Sequence, residues 1–305
     1  MTTPLVSIPV ITYNSAKTVV ETLDSIKAQT YPRLELIVSD DCSTDDTVAL
    51  CQEWIKQNKE RFERTKVILA EQNTGVSANF NRGETACRGE WVKPIAGDDL
   101  LMPACVRDCM DYVMTHPETI YLFGRQKAFG ADEDRCKQID NVFDYTFFSK
   151  TIDEQLHHLI FDCNCVPATT VFYGRLKAKD IGVTNDERIP LLEDWPKWVN
   201  LLRAGVKFQF VDKELVKYRV GGVSTNSQPS LNYYRTARLF CFLYQYPEWY
   251  KENPDAAVKR VVKEEAGIYE YLIDAERQLN LIRASKAYRL GRALLTPFRI
   301  FRHNK

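Results

Sequence analysis

The first 125 residues alternate short apolar runs with segments of helical periodicity, and this alternation restricts the fold more than any other feature of the sequence. The helical segments carry apolar residues three or four positions apart, and the first of them follows a capping residue, Ser15. Strands that alternate with helices form parallel βαβ units with right-handed crossovers. The pattern therefore predicts an α/β fold with a mixed, mainly parallel sheet flanked by helices. The predicted strands are LVSIPVI (5–11), LELIVSDD (34–41), KVILA (66–70), EWVKPIA (90–96) and TIYLFG (119–124).

Polar residues follow three of these strands, and in open α/β sheets ligands bind beyond the carboxyl ends of the strands. The pairs are Tyr13-Asn14, Asp40-Asp41 and Asp98-Asp99. Neighbouring carboxylates repel each other and need a partner, which is water, a basic residue or a cation. Taken alone, Asp98 and Asp99 also fit a turn that caps the helix starting near Pro103. Three polar strand ends on one edge of the sheet nevertheless predict a ligand site there.

The second half of the chain is less regular. A helix is predicted at 151–161, a strand in TTVFYG (169–174), and a helix in LEDWPKWVNLLRAG that ends at Gly205. The segment VKFQFVDKELVKYRV (206–220) is predicted to form two short extended runs, and the pattern is helical from about residue 230. These changes predict one large domain over 1–225 and a helical C-terminal region over 226–305.

Charge and cysteine usage exclude several classes of protein. The 41 basic and 41 acidic residues give a formal net charge of zero, so the whole chain offers no electrostatic case for binding nucleic acid. Its nine cysteines are scattered, with no CxxC pair, which is typical of a reducing compartment. The N-terminal apolar run lacks a basic region and is too short for a signal or a membrane span. We therefore expect a cytoplasmic protein whose contact with membranes, if any, is peripheral.

The C-terminal segment 281–305 has a composition of its own. It contains seven lysines and arginines and no acidic residue, interleaved with Leu, Ile, Tyr and Phe. This pattern favours a basic amphipathic helix lying on anionic lipid, while a solvated helix, a dimer contact and an RNA-binding tail are the alternatives.

Taken in order, the motifs resemble those of the family 2 inverting glycosyltransferases. The resemblance spans roughly residues 5 to 225 and rests on VSIPVITYN, LELIVSDDCSTDDT, NTGVSANFNRG, GEWVKPIAGDD, LLEDWPKWVNLLRAG and YRV. It implies a GT-A type, Rossmann-like fold, with a nucleotide-sugar-binding part at about 1–125, an acceptor part at about 126–225 and a C-terminal helical extension. It implies inverting transfer of a sugar from a nucleotide-sugar, with UDP favoured, to a carbohydrate acceptor. With the basic tail it indicates a lipid-linked oligosaccharide of surface-polysaccharide, O-antigen or capsule biosynthesis, at the cytoplasmic face of the inner membrane.

The resemblance also implies a divalent cation, Mn²⁺ or Mg²⁺, on the diphosphate of the sugar donor. The diphosphate leaves with more negative charge than it had, and a hard cation on carboxylates neutralises that charge. The family pattern favours Asp99 as the direct metal ligand. Asp98 is the second carboxylate of the metal site and lies nearer the ribose or the sugar.

Further residues are implied for binding the sugar donor. Asp41, with Asp40 as the alternative, would accept the N–H of the base, and Tyr13 would pack beside it, unless Tyr13 is a buried structural residue. Ile11 stands where the family often has proline, which affects the loop next to the base.

Asn81 and Arg82 are polar candidates for the donor site, with Arg82 expected to reach phosphate, and Arg219 is a candidate for contact with the diphosphate. For Asn81 and Arg82 a cap or a solvated helix face is the alternative. Arg219 lies in YRVGGVS, where Gly221 replaces the histidine that relatives often carry.

The resemblance assigns the general base to Asp194, with Glu193 as its orienting or acceptor-side neighbour. Inverting transfer needs one carboxylate to take the proton of the attacking hydroxyl. Acidic residues also favour helix N-termini, and Pro196 suits a first turn, so a capping role is the alternative. Trp195 and Trp198 fit a sugar platform and core packing equally.

Two other functions fit the sequence less well than glycosyl transfer. Nucleotidyl transfer normally needs a Gly-rich basic loop after the first strand, where this chain has TYNSAK. A non-catalytic sugar-nucleotide or glycan-binding module would not need both acidic pairs, Asp98-Asp99 and Glu193-Asp194.

Overall fold

A nine-stranded sheet lies at the centre of the computed structural model, which describes residues 3–221, 231–263 and five positions between 277 and 285. The strands run in the order β3-β2-β1-β4-β8-β7-β9-β6, and β5 also pairs with β1. Pairing is parallel among β1 to β5 and between β7 and β9, and antiparallel where β8 and β6 join. The strands are β1 (Val6–Thr12), β2 (Leu34–Asp40), β3 (Arg64–Leu69), β4 (Trp91–Val92), β5 (Ile95–Ala96), β6 (Leu100–Leu101), β7 (Tyr121–Phe129), β8 (Phe172–Gly174) and β9 (Phe208–Arg219).

The described residues also form helices. They are α1 (Val19–Lys27), α2 (Thr47–Asn58), α3 (Val76–Thr85), α4 (Cys105–Thr115), α5 (Glu133–Asp140), α6 (Ile152–Phe161), α7 (Arg175–Ile181), α8 (Asp194–Arg203), α9 (Leu231–Phe240) and α10 (Tyr246–Glu252). A π-helical turn, Cys241–Gln245, joins the last two. Among the described residues, no helix is both long and apolar enough to cross a bilayer.

The core explains why the first strands are apolar along their whole length. All seven residues of β1 and of β2 are buried, as expected for parallel strands covered on both faces. Val19, Leu23 and Ile26 form the apolar stripe of α1 and join the same core cluster. Burying one such side chain contributes about 1.5–3 kcal/mol.

The predicted fourth strand is interrupted. It divides into β4 and β5 around Lys93 and Pro94, because proline has no N–H to donate to a neighbouring strand. Lys93 is fully buried, and its ammonium donates hydrogen bonds to the carbonyls of Pro94 (2.8 Å) and Thr169 (2.7 Å). Burial lowers the pKa of this ammonium.

The prediction of two short extended runs in 206–220 was wrong, since a single strand, β9, covers this segment. It pairs with β7 over most of its length and absorbs an irregularity in register near Arg125. A local pattern of alternating residues does not show that this long-range pairing continues through the irregularity.

The chain forms two compact units, residues 1–245 and 246–305. In the second unit, the guanidinium of Arg260 lies 3.8 Å from the centre of the Trp249 ring. The predicted boundary at 225/226 falls among residues outside the described part of the chain, and nearly all of the basic segment 281–305 does too. Both stay predictions.

Candidate functional site

The ends of three neighbouring strands form one edge of the sheet. In the strand register, Thr12 of β1 lies opposite Asp40 of β2, and Ile11 lies opposite Ala96 of β5. The residues that follow these strands therefore lie side by side, as the strand-end pattern predicts. We call this edge the acidic rim, formed by residues 12–15, 40–44 and 96–99.

Hydrogen bonds connect the turn after β1 to the turn after β2. The Asp40 carboxylate accepts hydrogen bonds from Thr12 Oγ1 (2.9 Å), from the N–H of Ser43 (2.8 Å) and from Ser43 Oγ (2.6 Å). Asn14 donates its N–H to Ser43 Oγ (2.8 Å) and has a positive φ of 52°. This turn leaves the Tyr13 side chain 49% exposed, so the buried structural alternative for Tyr13 was wrong.

Asp41 is already saturated with hydrogen bonds. Its carboxylate accepts from the N–H of Thr74 (2.9 Å), the hydroxyl of Thr74 (2.6 Å), the N–H of Gly75 (2.8 Å) and Arg82 Nη2 (3.3 Å). A carboxylate offers about four lone-pair positions, so these four donors occupy them all. Asp40 receives three hydrogen bonds from described residues and keeps one position on Oδ1. Both carboxylates are buried, with Asp40 1% and Asp41 2% exposed, so only the remaining hydrogen-bond position distinguishes them, and it favours Asp40 for a nucleotide base, the reverse of the sequence ranking.

Arg82 and Asn81 are held by protein groups. Arg82 donates to Asn79 Oδ1 (2.8 Å) and Thr74 Oγ1 (2.6 Å) in addition to Asp41. Asn81 exchanges hydrogen bonds with the backbone of Asn185, at 3.0 Å in each direction. Both side chains are thus held by protein groups, with Arg82 using three of its five N–H donors, and their roles in binding the sugar donor stay predictions.

Ile11 does not reach the surface of the acidic rim. Its side chain is 7% exposed and packs towards Gly83 of α3, where an added Cβ would lie 3.0 Å from Ile11 Cδ1. Its predicted place among the donor-binding residues is thus corrected to a packing role behind the rim.

Asp98 and Asp99 differ in what surrounds them. Asp99 is 1% exposed, and its carboxylate accepts the backbone N–H of Arg219 (2.8 Å) while its carbonyl accepts Thr22 Oγ1 (2.8 Å). Asp98 is partly exposed, and no other described residue donates to its carboxylate. The sequence ranks Asp99 above Asp98 as the direct metal ligand, whereas in the structure Asp98 is the more accessible of the two carboxylates.

The electrostatics of the pair fit a cation. Burial raises the pKa of Asp98, and burial together with the Asp98 charge raises the pKa of Asp99 well above its usual range. Among the residues that the structure describes, no three His, Cys, Asp or Glu side chains come together as a metal site. A cation bound here would take few protein ligands and would fill its coordination sphere from a phosphate and water.

Arg219 closes the rim from β9. Its Nε donates to the carbonyl of Asp98 (2.7 Å), and its Nη2 donates to Glu21 of α1 (2.6 Å). The guanidinium carbon lies 4.5 Å from the centre of the Phe129 ring. These contacts place a permanent positive charge beside the two carboxylates.

A second acidic pair begins α8. Asp194 accepts hydrogen bonds from Asn164 Nδ2 (2.8 Å) and from the N–H of Trp195 (2.7 Å). Glu193 makes no side-chain capping bond to the helix, so capping does not account for it. Burial first, and then the Asp194 charge, raises the pKa of Glu193 to about 7. Burial also raises the pKa of Asp194, while the hydrogen bond from Asn164 opposes that rise.

Short contacts connect this pair to the acidic rim. The carbonyl of Pro190 accepts the N–H of Val76 (3.0 Å), and the carbonyl of Ile189 accepts Ser77 Oγ (2.7 Å). The same start of α3 supplies the N–H of Gly75 to Asp41. The segment before Glu193 is therefore attached to the residues that hold the ends of β1 and β2.

The two tryptophans have packing roles. Trp198 is 2% exposed and meets Phe123 and Phe208 edge-on or nearly so. Trp195 packs against Phe240, with ring centres 4.4 Å apart, and donates its indole N–H to the carbonyl of Leu159 (2.8 Å). Core packing is thus the better account of both.

Sequence reasoning missed Asn164 and Glu21. Asn164 lies in an irregular segment after α6 and comes next to Asp194 only through the fold. Glu21 looks like any acid in the first turn of a helix, and no local signal pairs it with Arg219, 198 positions away.

Comparison with known proteins gives consistent matches. The family model described as glycosyl transferase family 2 matches residues 7–169. The putative teichuronic acid biosynthesis glycosyltransferase TuaG of Bacillus subtilis is 26% identical, over 79% of this chain and 88% of its own length. The protein WfaP of Escherichia coli, named a UDP-Glc:alpha-D-GlcNAc-diphosphoundecaprenol beta-1,3-glucosyltransferase, is also 26% identical, over 73% of this chain and 80% of its own.

Solved structures show the fold. TarS 1-349 of S. aureus in complex with UDP-GlcNAc matches with a TM-score of 0.60 at 21% identity, over 78% of this chain and 66% of that one. The chain spans 39% of a longer TarS structure. The mannosyltransferase PcManGT of Pyrobaculum calidifontis, in complex with GDP-Man and Mn²⁺, matches with a TM-score of 0.55 at 16% identity, over 97% of this chain and 85% of that one. The predicted GT-A type fold is confirmed.

Proposed function

Since the chain belongs to glycosyl transferase family 2 and is a glycosyltransferase, we propose that it moves a sugar from a UDP-sugar to a carbohydrate acceptor with inversion at the anomeric carbon. One observation carries this proposal: the Glu193-Asp194 pair is attached through α3 to the same rim that carries Asp98 and Asp99. Two separate acidic pairs supply what the reaction needs, which is a site for the diphosphate and a base for the acceptor.

Asp194 is the proposed general base. As the acceptor oxygen attacks the anomeric carbon, Asp194 takes the hydroxyl proton, and the bond from that carbon to the diphosphate oxygen breaks. The nucleoside diphosphate leaves with the electron pair of the broken bond. One carboxylate suffices, because inversion is a single displacement. The hydrogen bond from Asn164 orients the Asp194 carboxylate and opposes the rise in its pKa that burial causes.

Asp98 is the proposed protein ligand of the cation, Mn²⁺ or Mg²⁺. It is the accessible carboxylate, whereas Asp99 fixes the end of β9 through the N–H of Arg219. When bound, the cation would neutralise charge on the diphosphate. Asp40 and the exposed ring of Tyr13 are proposed for the base, and Arg219 for the diphosphate.

Similar proteins support the choice of substrates. TarS has been solved with UDP and with UDP-GlcNAc, and WfaP is named for a UDP-sugar and a lipid diphosphate. We therefore propose surface-polysaccharide biosynthesis with a lipid-linked acceptor at the cytoplasmic face of the membrane. Contact of the segment 281–305 with lipid remains a prediction.

The first experiment is a thermal-shift panel of UDP, GDP, dTDP and their sugars, with Mn²⁺, Mg²⁺ or EDTA. A ligand at a hundred times its dissociation constant stabilises the folded state by about 2.7 kcal/mol. We expect a shift for UDP that is lost with EDTA and in Asp98→Ala. A panel without any shift would contradict the proposed donor site.

The base is tested by Asp194→Asn with the sugar donor and acceptor. Donor binding should survive, while turnover should fall by about 10²–10⁴-fold. Normal turnover by this variant would refute the assignment. The anomeric configuration of the product, read by NMR, tests inversion separately.

A further inference from the structure

We propose that Glu21 competes with the diphosphate of the nucleotide for the guanidinium of Arg219, and so sets how readily the nucleoside diphosphate leaves. The inference rests on the proposed function, because it takes Arg219 as a ligand of the diphosphate.

The position of Arg219 is fixed independently of Glu21. Its backbone N–H donates to the Asp99 carboxylate (2.8 Å), its Nε donates to the carbonyl of Asp98 (2.7 Å), and its guanidinium lies over the Phe129 ring. These three contacts thus keep Arg219 next to Asp98, and they do so whichever anion the Nη groups of its guanidinium bind.

Glu21 is the anion that it meets in this structure. Glu21 Oε2 accepts from Arg219 Nη2 at 2.6 Å. The Glu21 side chain is 58% exposed, against 21% for Arg219, so the carboxylate side of the pair faces water. Among the described residues, Glu21 makes no other side-chain hydrogen bond. It lies in the first turn of α1, where the helix dipole favours a negative charge even without a partner.

The guanidinium has capacity for a second anion. Arginine carries five N–H donors, and Arg219 uses two of them, for Asp98 and for Glu21. The other three have no acceptor in the part of the chain that the structure describes. A phosphate presents oxygens in the geometry that a carboxylate presents, so the two compete for the same fork of donors. Glu21 is therefore a stand-in for phosphate when the nucleotide is absent.

The strength of the pair fits a contact that can be exchanged. Ion pairs exposed to this degree are weak, and removing the competing charge should tighten binding of the diphosphate about two- to fivefold. A buried ion pair would keep Arg219 from binding the diphosphate. The exposed Arg219–Glu21 pair instead weakens binding of the nucleoside diphosphate without preventing it.

The test is the dissociation constant of UDP with Mn²⁺, measured by titration calorimetry for the wild type and for Glu21→Gln. The expected result is two- to fivefold tighter binding in Glu21→Gln, with a gain that shrinks as ionic strength rises. Glu53→Gln is the matched control, since Glu53 pairs on the surface of α2 with Lys56 (3.9 Å) and should leave binding unchanged.

A double-mutant cycle separates competition at Arg219 from a change in overall charge. In an Arg219→Gln background, Glu21→Gln should no longer tighten binding. Melting without ligand shows that each variant is folded, and Glu53→Gln, which removes the same charge away from Arg219, gives the charge comparison if Arg219→Gln does not fold. Unchanged affinity in Glu21→Gln, or the same gain without Arg219, would overturn the inference. A wild type that binds no nucleoside diphosphate with any metal would instead overturn the proposed function.

Discussion

Replacing Glu193 by glutamine is expected to stabilise the protein at alkaline pH and to have little effect at acid pH. Burial and the Asp194 charge raise the pKa of Glu193 from 4.5 to about 7 in the folded protein. Between these values the folded state binds a proton that the unfolded chain has released, so stability falls as pH rises. The contribution is fully present below pH 4.5 and is lost as pH passes through about 7.

The size of the effect follows from the shift. One pKa unit corresponds to about 1.4 kcal/mol, so a change from 4.5 to about 7 corresponds to about 3 kcal/mol of unfolding free energy. Lys197 lowers the pKa of Glu193, and this partial compensation is already contained in the value of about 7. Glutamine has nearly the shape of protonated glutamate, so the variant keeps the packing and removes the titration.

The assay is urea unfolding of the wild type and of Glu193→Gln at several pH values from 4.5 to 8.5. The difference between the two proteins reports Glu193 together with its coupling to Asp194, because groups that do not interact with Glu193 cancel. It should grow in favour of the variant by about 3 kcal/mol across this range. Glu118→Gln, which removes a carboxylate at an exposed position, is the control variant. A flat difference for Glu193→Gln would refute the reasoning about its burial.

Three further predictions concern the backbone of the rim and the orientation of the base. Gly75→Ala should destabilise by about 2 kcal/mol or more in urea unfolding, because φ is +88° and the new Cβ would lie 2.8 Å from that of Pro190; an unchanged midpoint would contradict this geometry. Cys42→Gly should stabilise by up to about 1 kcal/mol, since φ is 66° there, and Cys42→Val should destabilise; melting temperatures in the opposite order would show that the turn is not strained. Asn164→Ala should move the acid limb of the kcat/KM profile to higher pH, because the hydrogen bond that lowers the pKa of Asp194 is lost; an unmoved limb would mean that Asn164 does not act on the base.

Much of the fold could be predicted, because its signals are local. The first strands are apolar along their length since both faces are buried, and the sequence shows this directly. The parallel order of these strands also predicts that the residues after β1, β2 and β5 lie side by side, and the strand register confirms it. The pairing of β9 with β7 and with β6 could not be predicted in the same way, because it joins segments far apart in sequence.

Within the rim, the sequence could not rank neighbouring residues. Adjacent side chains of extended backbone point to opposite sides. Which member of Asp98-Asp99 faces outward therefore depends on how the chain turns after β5, and Asp99 turns inward to the N–H of Arg219. Saturation of Asp41 likewise depends on the start of α3, 33 positions away. Family resemblance points to each pair, and the local hydrogen bonds show which of its members is held by the protein.

Chemical labelling of the buried Lys93 ammonium can be used to measure local opening of this part of the protein. An amine-acylating reagent in water can reach Lys93 only after the segment between β4 and β5 separates from Thr169, so its rate of labelling measures how often that happens. Because the same segment leads into Asp98, a ligand that tightens the rim should lengthen the time to labelling at Lys93 while leaving surface lysines such as Lys56 unaffected. Peptide mass spectrometry would read both sites from one sample, with no dye or tag attached to the protein.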